Sequence, residues 1–404
     1  MNETLCRVCG GKNLNTFLDL GVQPPSNSLL DSPDEEEKLY PLALRYCTDC
    51  NLVELGYTVD PEELFSHYVW VTGTSKGAQE FARTFQRELE KRITKKGYVL
   101  ELASNDGTFL KPFQEKGYEV LGIDPAGNIA EEANKEGVPT LTHFFGKEVA
   151  KQIEKEHGKA SVIFARNVLP HVVNTRDFVE GIAACLEEEG LAAIEVHYAK
   201  IIQEGLHYDS IYHEHLCYFT LKTLEFLLNQ CGLFVCDIME SPISGGSIVV
   251  YVKKKKQEES EKVKKYRSEE EKSKVNEYET WLNFGTRAKA HTQKLLEILK
   301  QEKEAGRKVV GWGASARSST LLNCAGIGPS LIEAIGDLNP LKQGKWTAGT
   351  RIPIEHPETA LKRSPDSLII LAWNFKDEIK EQAKQMGYKG RFIIPLPNDP
   401  KVED

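Results

Sequence analysis

The chain has 404 residues and a formal net charge of −9, a length that holds two or three domains, each with its own core. The acidic balance argues against a broad nucleic-acid-binding surface. No apolar run is long enough to span a bilayer and no signal-peptide core is visible, so a cytoplasmic protein is expected, whose nine cysteines suit metal binding or free thiols better than disulfides.

The first element is a pair of C-x-x-C knuckles, Cys6–Cys9 and Cys47–Cys50. Four thiolates match tetrahedral zinc and leave no open position, so the expected metal is structural. The acidic stretch Asp34-Glu35-Glu36-Glu37 between the knuckles speaks against the nucleic-acid role common to zinc ribbons. An aromatic loop follows, Leu64 to Ser75, containing Tyr68 and Trp70. It either lines a pocket or packs as an interdomain linker. An amphipathic helix is predicted from Ala78 to Arg92.

Next comes an alternation of strands and helices, with strands predicted at 98–101, 119–124, weakly at 140–144, then at 160–165 and 191–196. Such alternation implies a parallel, doubly wound sheet. The first strand runs through Glu101 into a loop of small residues, Ala103-Ser104-Asn105-Asp106-Gly107, and then a helix start. A strand, a small-residue loop and a helix make a nucleotide-binding turn, since small residues let a ligand approach the backbone. A full G-x-G-x-x-G is absent. Instead Asp124 ends the second strand, where a carboxylate can accept both hydroxyls of a ribose. Arg166 to His171 follow the fourth strand and should face the same ligand, because ligands of open α/β sheets bind at the carboxyl ends of strands.

The most chemically dense stretch is His207-Tyr208-Asp209 and Tyr212-His213-Glu214-His215. Its spacing is wrong for an H-E-x-x-H zinc helix; it suits another metal site, an acid/base cluster or a solvated polar turn. A histidine among such neighbours can take a carbon-bound proton. A capped helix from 220 to 230 and two strands, at 232–235 and 247–252, complete this unit. The charge-rich stretch 253–303 reads as a long solvated helix bridging domains. A second strand–glycine loop–helix unit then appears, Val309-Val310-Gly311-Trp312-Gly313-Ala314-Ser315-Ala316-Arg317, suited to a phosphate at a helix N-terminus with Arg317 as a cation. Further strands at 332–336, 367–371 and 391–394 make another α/β domain.

Taken together, the knuckles, Glu101–Gly107, Asn167–His171, Tyr212–His215, Gly245-Gly246-Ser247, Gly311–Ala316, Lys342-Gln343-Gly344 and Ala372-Trp373-Asn374-Phe375 resemble the C-methyltransferases of deoxysugar biosynthesis, which act on thymidine-diphosphate (dTDP) keto-sugars. The resemblance runs over nearly the whole chain; Trp70 stands where a tyrosine is expected and Arg317 where a lysine is common. It implies a zinc-binding module over 1–70, a class I S-adenosylmethionine (SAM) methyltransferase domain over 71–253 and a Rossmann-like α/β sugar-nucleotide domain over 254–404. It implies SAM against Glu101, Ala103, Asn105, Gly107, Asp124 and Asn167, and a nucleotide-sugar against Gly313, Ala314, Arg317, Trp373 and Asn374. His215 is implied as the base, with Glu214, Tyr212 and Tyr68 as neighbours. The expected reaction is methylation of a sugar carbon beside a ketone, at C-3 of a 4-keto-deoxysugar, by a monomer that needs neither nucleic acid nor membrane. The alternatives are methylation of a sugar oxygen or nitrogen, or a non-catalytic zinc- and nucleotide-binding scaffold.

Overall fold

A computed structural model describes residues 4–65, 71–93, 96–241 and 246–404, which form three sheets. The first is antiparallel and carries the cysteines: β1 (Leu14–Gln23), β2 (Tyr40–Cys47) and β3 (Val53–Leu55). In β2 the side chains of Leu42, Leu44 and Tyr46 are buried, the period of two that a one-faced sheet requires.

The central sheet contains β4 (Val99–Leu102), β5 (Val120–Ile123), β6 (Thr140–Leu141), β7 (Ala160–Arg166) and β8 (Leu186–His197), all parallel. After it the chain leaves a two-residue strand, β9 (Cys217–Tyr218), which joins the first sheet by pairing antiparallel with β3. It then returns through β10 (Phe234–Ser241) and β11 (Ser247–Lys253). The order is β10-β11-β8-β7-β4-β5-β6, with β11 antiparallel to both neighbours. From β4 the chain works outward to β6 and then crosses back to β7, so the switch point lies between β4 and β7, where a crevice forms. The weak third strand of the sequence is the shortest of this sheet.

The charge-rich segment is not simply a solvated bridge. It forms two helices, Glu261–Ser273 and Tyr278–Glu304, broken where Lys274 takes a φ of +58°. The second buries Trp281, Phe284, Ala288, Leu295 and Leu299 on one face. A Cβ on Gly285 would lie 2.5 Å from the Phe17 carbonyl oxygen, so the glycine lets this helix touch the backbone of β1. The first helix places the buried Glu270 at the N-terminus of helix Leu221–Gln230. There it accepts from the Leu221 amide (2.5 Å) and the Tyr198 hydroxyl (2.8 Å), a carboxylate at the positive end of a helix.

The third sheet contains β12 (Val309–Trp312), β13 (Ile335–Gly336), β14 (Ile354–Glu355), β15 (Ser367–Ile370), β16 (Arg391–Ile394) and β17 (Lys401–Glu403). Its order is β14-β13-β12-β15-β16-β17, parallel except for β17. Strands β14 and β17, two and three residues long, were not expected from the sequence. Helix Ala316–Ala325 packs on the segment after β8, with the Thr320 hydroxyl donating to the Ile211 carbonyl (2.7 Å). The carboxyl ends of the two parallel sheets therefore meet across residues 207–216.

The first sheet is locked to the second by a buried charge cluster. Glu54 is fully buried and accepts from the Arg7 amide (2.9 Å) and from Arg45 Nη2 (2.8 Å). Arg7 also donates to the Leu55 carbonyl and Thr58, and its own carbonyl accepts from Thr175 of the central domain (2.7 Å). Removing one member of such a cluster strands the opposite charges. Glu54→Ala is expected to lower the unfolding free energy by about 3–5 kcal/mol, read as a lower urea midpoint. A midpoint equal to wild type would show that Glu54 does not hold this junction.

Candidate active site

The four cysteines converge. The Sγ atoms of Cys6, Cys9, Cys47 and Cys50 all lie within 4.8 Å of one another. Cys6–Cys50 are 3.5 Å and Cys9–Cys47 3.6 Å apart, close to the edge of a tetrahedron with Zn–S bonds of about 2.3 Å. The Gly11 amide points at Cys9 Sγ (3.3 Å), the donor a bound thiolate wants. The donor set fits zinc and leaves it no position for substrate.

A cavity of about 1080 Å³ opens at the switch point of the central sheet. Ala103, Asn105, Asp124 and Asn167 line it, together with Arg166, His143, Phe144 and Phe145. Ala103, Asn105 and Asn167 all take φ near +50°, a strained arrangement that recurs at ligand sites. Asp124 is buried, and accepts from the Asn105 amide through Oδ2 (2.8 Å) and the Ala126 amide through Oδ1 (2.9 Å). Each oxygen keeps a lone pair for a ribose hydroxyl. Thr72 and Ser75 close the near side, the Thr72 and Gly73 amides donating to Asn105 and Asp106. Glu101 and Gly107 do not line this cavity. Glu101 is buried within β4, its carboxyl pushed well above the usual range by burial and partly drawn back by Arg166. Gly107, at φ +74°, makes room for Val138, whose Cγ1 lies 2.7 Å from where a Cβ would sit.

A smaller chamber of about 150 Å³ adjoins the cavity, and Asn167, His171, Tyr212, His215 and Asn374 line both. His197 and Arg317 line the chamber. His215 Nδ1 lies 2.8 Å from the Ser210 carbonyl and Nε2 lies 2.8 Å from the Tyr212 hydroxyl. A carbonyl only accepts, so Nδ1 carries the proton and Nε2 accepts from Tyr212. Burial, with the neighbouring His171 ring 4.9 Å away, pushes the His215 pKa well below its ordinary value. His171 itself is pushed down to about 4 by burial.

Residues 212–215 do not run extended. The chain turns, the His215 amide donating to the Tyr212 carbonyl (2.9 Å). His213 therefore faces the Tyr40 carbonyl (3.3 Å) in the first sheet rather than sharing the side of His215. Glu214 is buried and accepts from Asn27 (2.5 Å) without lining either space. Tyr68 lies outside the described residues. The phosphate expected at the second glycine loop also meets an obstacle. The Ala314 amide donates to Asp337 (2.8 Å) and the Gly313 amide to the Gly336 carbonyl (2.8 Å). A Cβ on Gly313, at φ +99°, would lie 2.5 Å from Ala372 Cβ, so this glycine serves packing. Trp373 is buried and donates to Asp209 (2.7 Å), which sets Asn374 at the chamber. Arg166 lies in the segment after the fourth strand and Ser75 in the aromatic loop, both legible in the sequence, whereas His143 carried no sequence signal, because it is placed by the end of β6 and not by a motif.

Metal analysis of protein purified without chelator is expected to give about one zinc per chain, and Cys47→Ser to lower it sharply; a metal-free wild type of unchanged stability would refute the ligand set. Asp124→Ala is expected to weaken SAM binding by about 2–4 kcal/mol in calorimetry, with Asp124→Asn retaining part of it. Unchanged affinity in both would remove Asp124 from the site.

Residues 242–397 match the family of C-methyltransferase C-terminal domains, residues 75–237 a methyltransferase domain and residues 6–65 a zinc binding domain. The chain is 33% identical to C-methyltransferase NovU of Streptomyces niveus, over 98% of this chain and 96% of that one. Among solved structures, a SAM-dependent methyltransferase from Clostridium acetobutylicum aligns at 11% identity and a TM-score of 0.35, over 43% of this chain and 91% of that one. The magnesium protoporphyrin IX methyltransferase ChlM of Synechocystis, with bound SAH, aligns at 13% identity and a TM-score of 0.35, over 44% and 82%. SAM is the cofactor that the central domain binds, and the four thiolates hold a structural zinc. By its domains and its full-length similarity, the chain belongs to the SAM-dependent C-methyltransferases.

Proposed function

We propose that the chain methylates C-3 of a nucleotide-linked 4-keto-deoxysugar, the nucleotide being dTDP, and that His215 opens the reaction as general base. The observation that supports this most is the unprotonated Nε2 of His215 at a chamber continuous with the SAM cavity. Carbon becomes a nucleophile only when a proton beside the carbonyl is removed, and a neutral imidazole held in one tautomer is suited to that step. His215 Nε2 takes the proton, the C–H electron pair forms the new C=C bond, and the carbonyl pair moves onto oxygen. The Tyr212 hydroxyl, now released from Nε2, donates to that oxygen. SAM, when bound, supplies the methyl group from its sulfonium. Asp124 and Asn105 hold the cofactor, and Asn374 reaches in from the C-terminal domain to orient the sugar. Methylation of a sugar oxygen or nitrogen would not call for a carbon base in this place.

His215→Asn is expected to slow methyl transfer about 10²–10⁴-fold and to stop deuterium uptake beside the ketone when SAM is omitted, leaving SAM affinity unchanged. Uptake that persists in this variant would move the base elsewhere. The acidic shift of His215 also has a sign: the base form persists below the ordinary histidine pKa of about 6.5. Exchange is expected to stay level from pH 8 to about 6.5 and to fall only in more acid solution, and a fall centred at or above 6.5 would contradict it.

A further inference from the structure

The chamber that holds the unprotonated face of His215 contains one guanidinium among its described residues, that of Arg317. It comes from the C-terminal domain, from the first turn of helix Ala316–Ala325. Its Nη2 lies 3.5 Å from His197 Nε2, and its Cζ stands 5.5 Å from the Trp373 ring centre. A guanidinium only donates, so His197 Nε2 accepts and its proton sits on Nδ1. Burial and the field of Arg317 both push the His197 pKa well down, and burial brings His207 to about 3. The histidines around the chamber are therefore neutral, and Arg317 supplies its positive charge.

The location of that charge matters. The loop amides of Gly313 and Ala314 are engaged within the fold, and the Asp337 carboxylate already sits at Ala314. Neither residue lines the chamber, whereas Arg317 does, in company with His215 and Tyr212. The cation thus faces the reacting groups and not the loop where a diphosphate was expected.

We propose that Arg317 is a catalytic residue whose guanidinium stabilises the enolate oxygen formed when His215 removes the proton. The inference rests on the C-methylation chemistry of the preceding section. When the carbonyl pair moves onto oxygen, the new negative charge forms in a small chamber whose histidines are neutral. There a fixed cation acts on the transition state more than on the neutral ketone. The proton stays on His215 Nε2 and the charge on oxygen is balanced by Arg317, so the enolate persists until carbon attacks the methyl group. The arrangement makes the C-terminal domain a contributor to the chemistry and not only an anchor for the nucleotide.

The test uses the full-length zinc-loaded protein, Arg317→Met and Arg317→Lys, and the sugar nucleotide that the wild type methylates. Three quantities are read: deuterium uptake beside the ketone without SAM, kcat and KM for methyl transfer, and calorimetric affinity for dTDP alone. The expected result for Arg317→Met is a fall of about 10²–10³-fold in both uptake and kcat, with dTDP affinity within about twofold and partial recovery in Arg317→Lys. Lost dTDP affinity with unchanged uptake and kcat would make Arg317 a nucleotide anchor and overturn the proposal. If Arg317→Met is unstable, as judged by SAM affinity, Arg317→Gln replaces it under the same criteria. A wild type that shows no uptake would overturn the functional reading itself, whereas uptake in wild type and variant alike would overturn only the role of Arg317.

Discussion

The hydrogen bond from His215 Nδ1 to the Ser210 carbonyl is the interaction on which the site turns. It decides which ring nitrogen is bare, and it holds only if Ser210 and His215 keep their relative positions. The fold pins that short segment from all three sheets. Asp209 holds Trp373, and Ile211 accepts from Thr320, both in the C-terminal domain. The Leu216 amide donates to Pro170 in the central domain. Cys217 and Tyr218 then form β9 against β3 of the zinc module. The zinc module thereby belongs to the frame that fixes the tautomer of His215. Second-layer support of this kind commonly decides whether a catalytic side chain is placed tightly enough to act.

Desolvation is the other force at work. His171, His197, His207 and His215 all have pKa values pushed down by burial. Neutral rings can sit side by side, as His171 and His215 do at 4.9 Å, where imidazolium ions would repel. The same environment raises the carboxyls of Glu101 and Asp124.

Much of this was legible in the sequence, because local patterns carried it. The C-x-x-C pairs, the loop from Ala103 to Gly107 and the acid at 124 each need a particular residue at a particular step along one short stretch of chain. The parallel, doubly wound character of the central strands followed from their alternation. What stayed hidden depends on contacts between distant segments. Nothing near Glu214 reveals that Asn27 binds it, and nothing near His213 shows that a turn carries it toward Tyr40. The second glycine loop shows the limit of such a motif: strand, glycine and helix announce a close approach, and at Gly313 the group packed against it is Ala372. The helix Tyr278–Glu304 looked solvated because charged residues dominate its composition, while its apolar stripe is spread thinly over 27 residues.

The pairing of β3 with β9 has a consequence for how the chain is assembled. The zinc module comes first in the sequence, yet the strand that completes its sheet follows β8 of the central domain. As the polypeptide leaves the ribosome, the cysteines can gather their metal early, but one edge of their sheet stays open. That edge waits until the first five strands of the central sheet and the turn at 212–215 have been made. Contacts of such long sequence separation form late and slowly, and an open strand edge invites wrong partners while it waits. Closing that edge also fixes the segment that carries His215, so a chain that has finished folding its first domain has, by the same step, finished building the chamber on which the proposed chemistry rests.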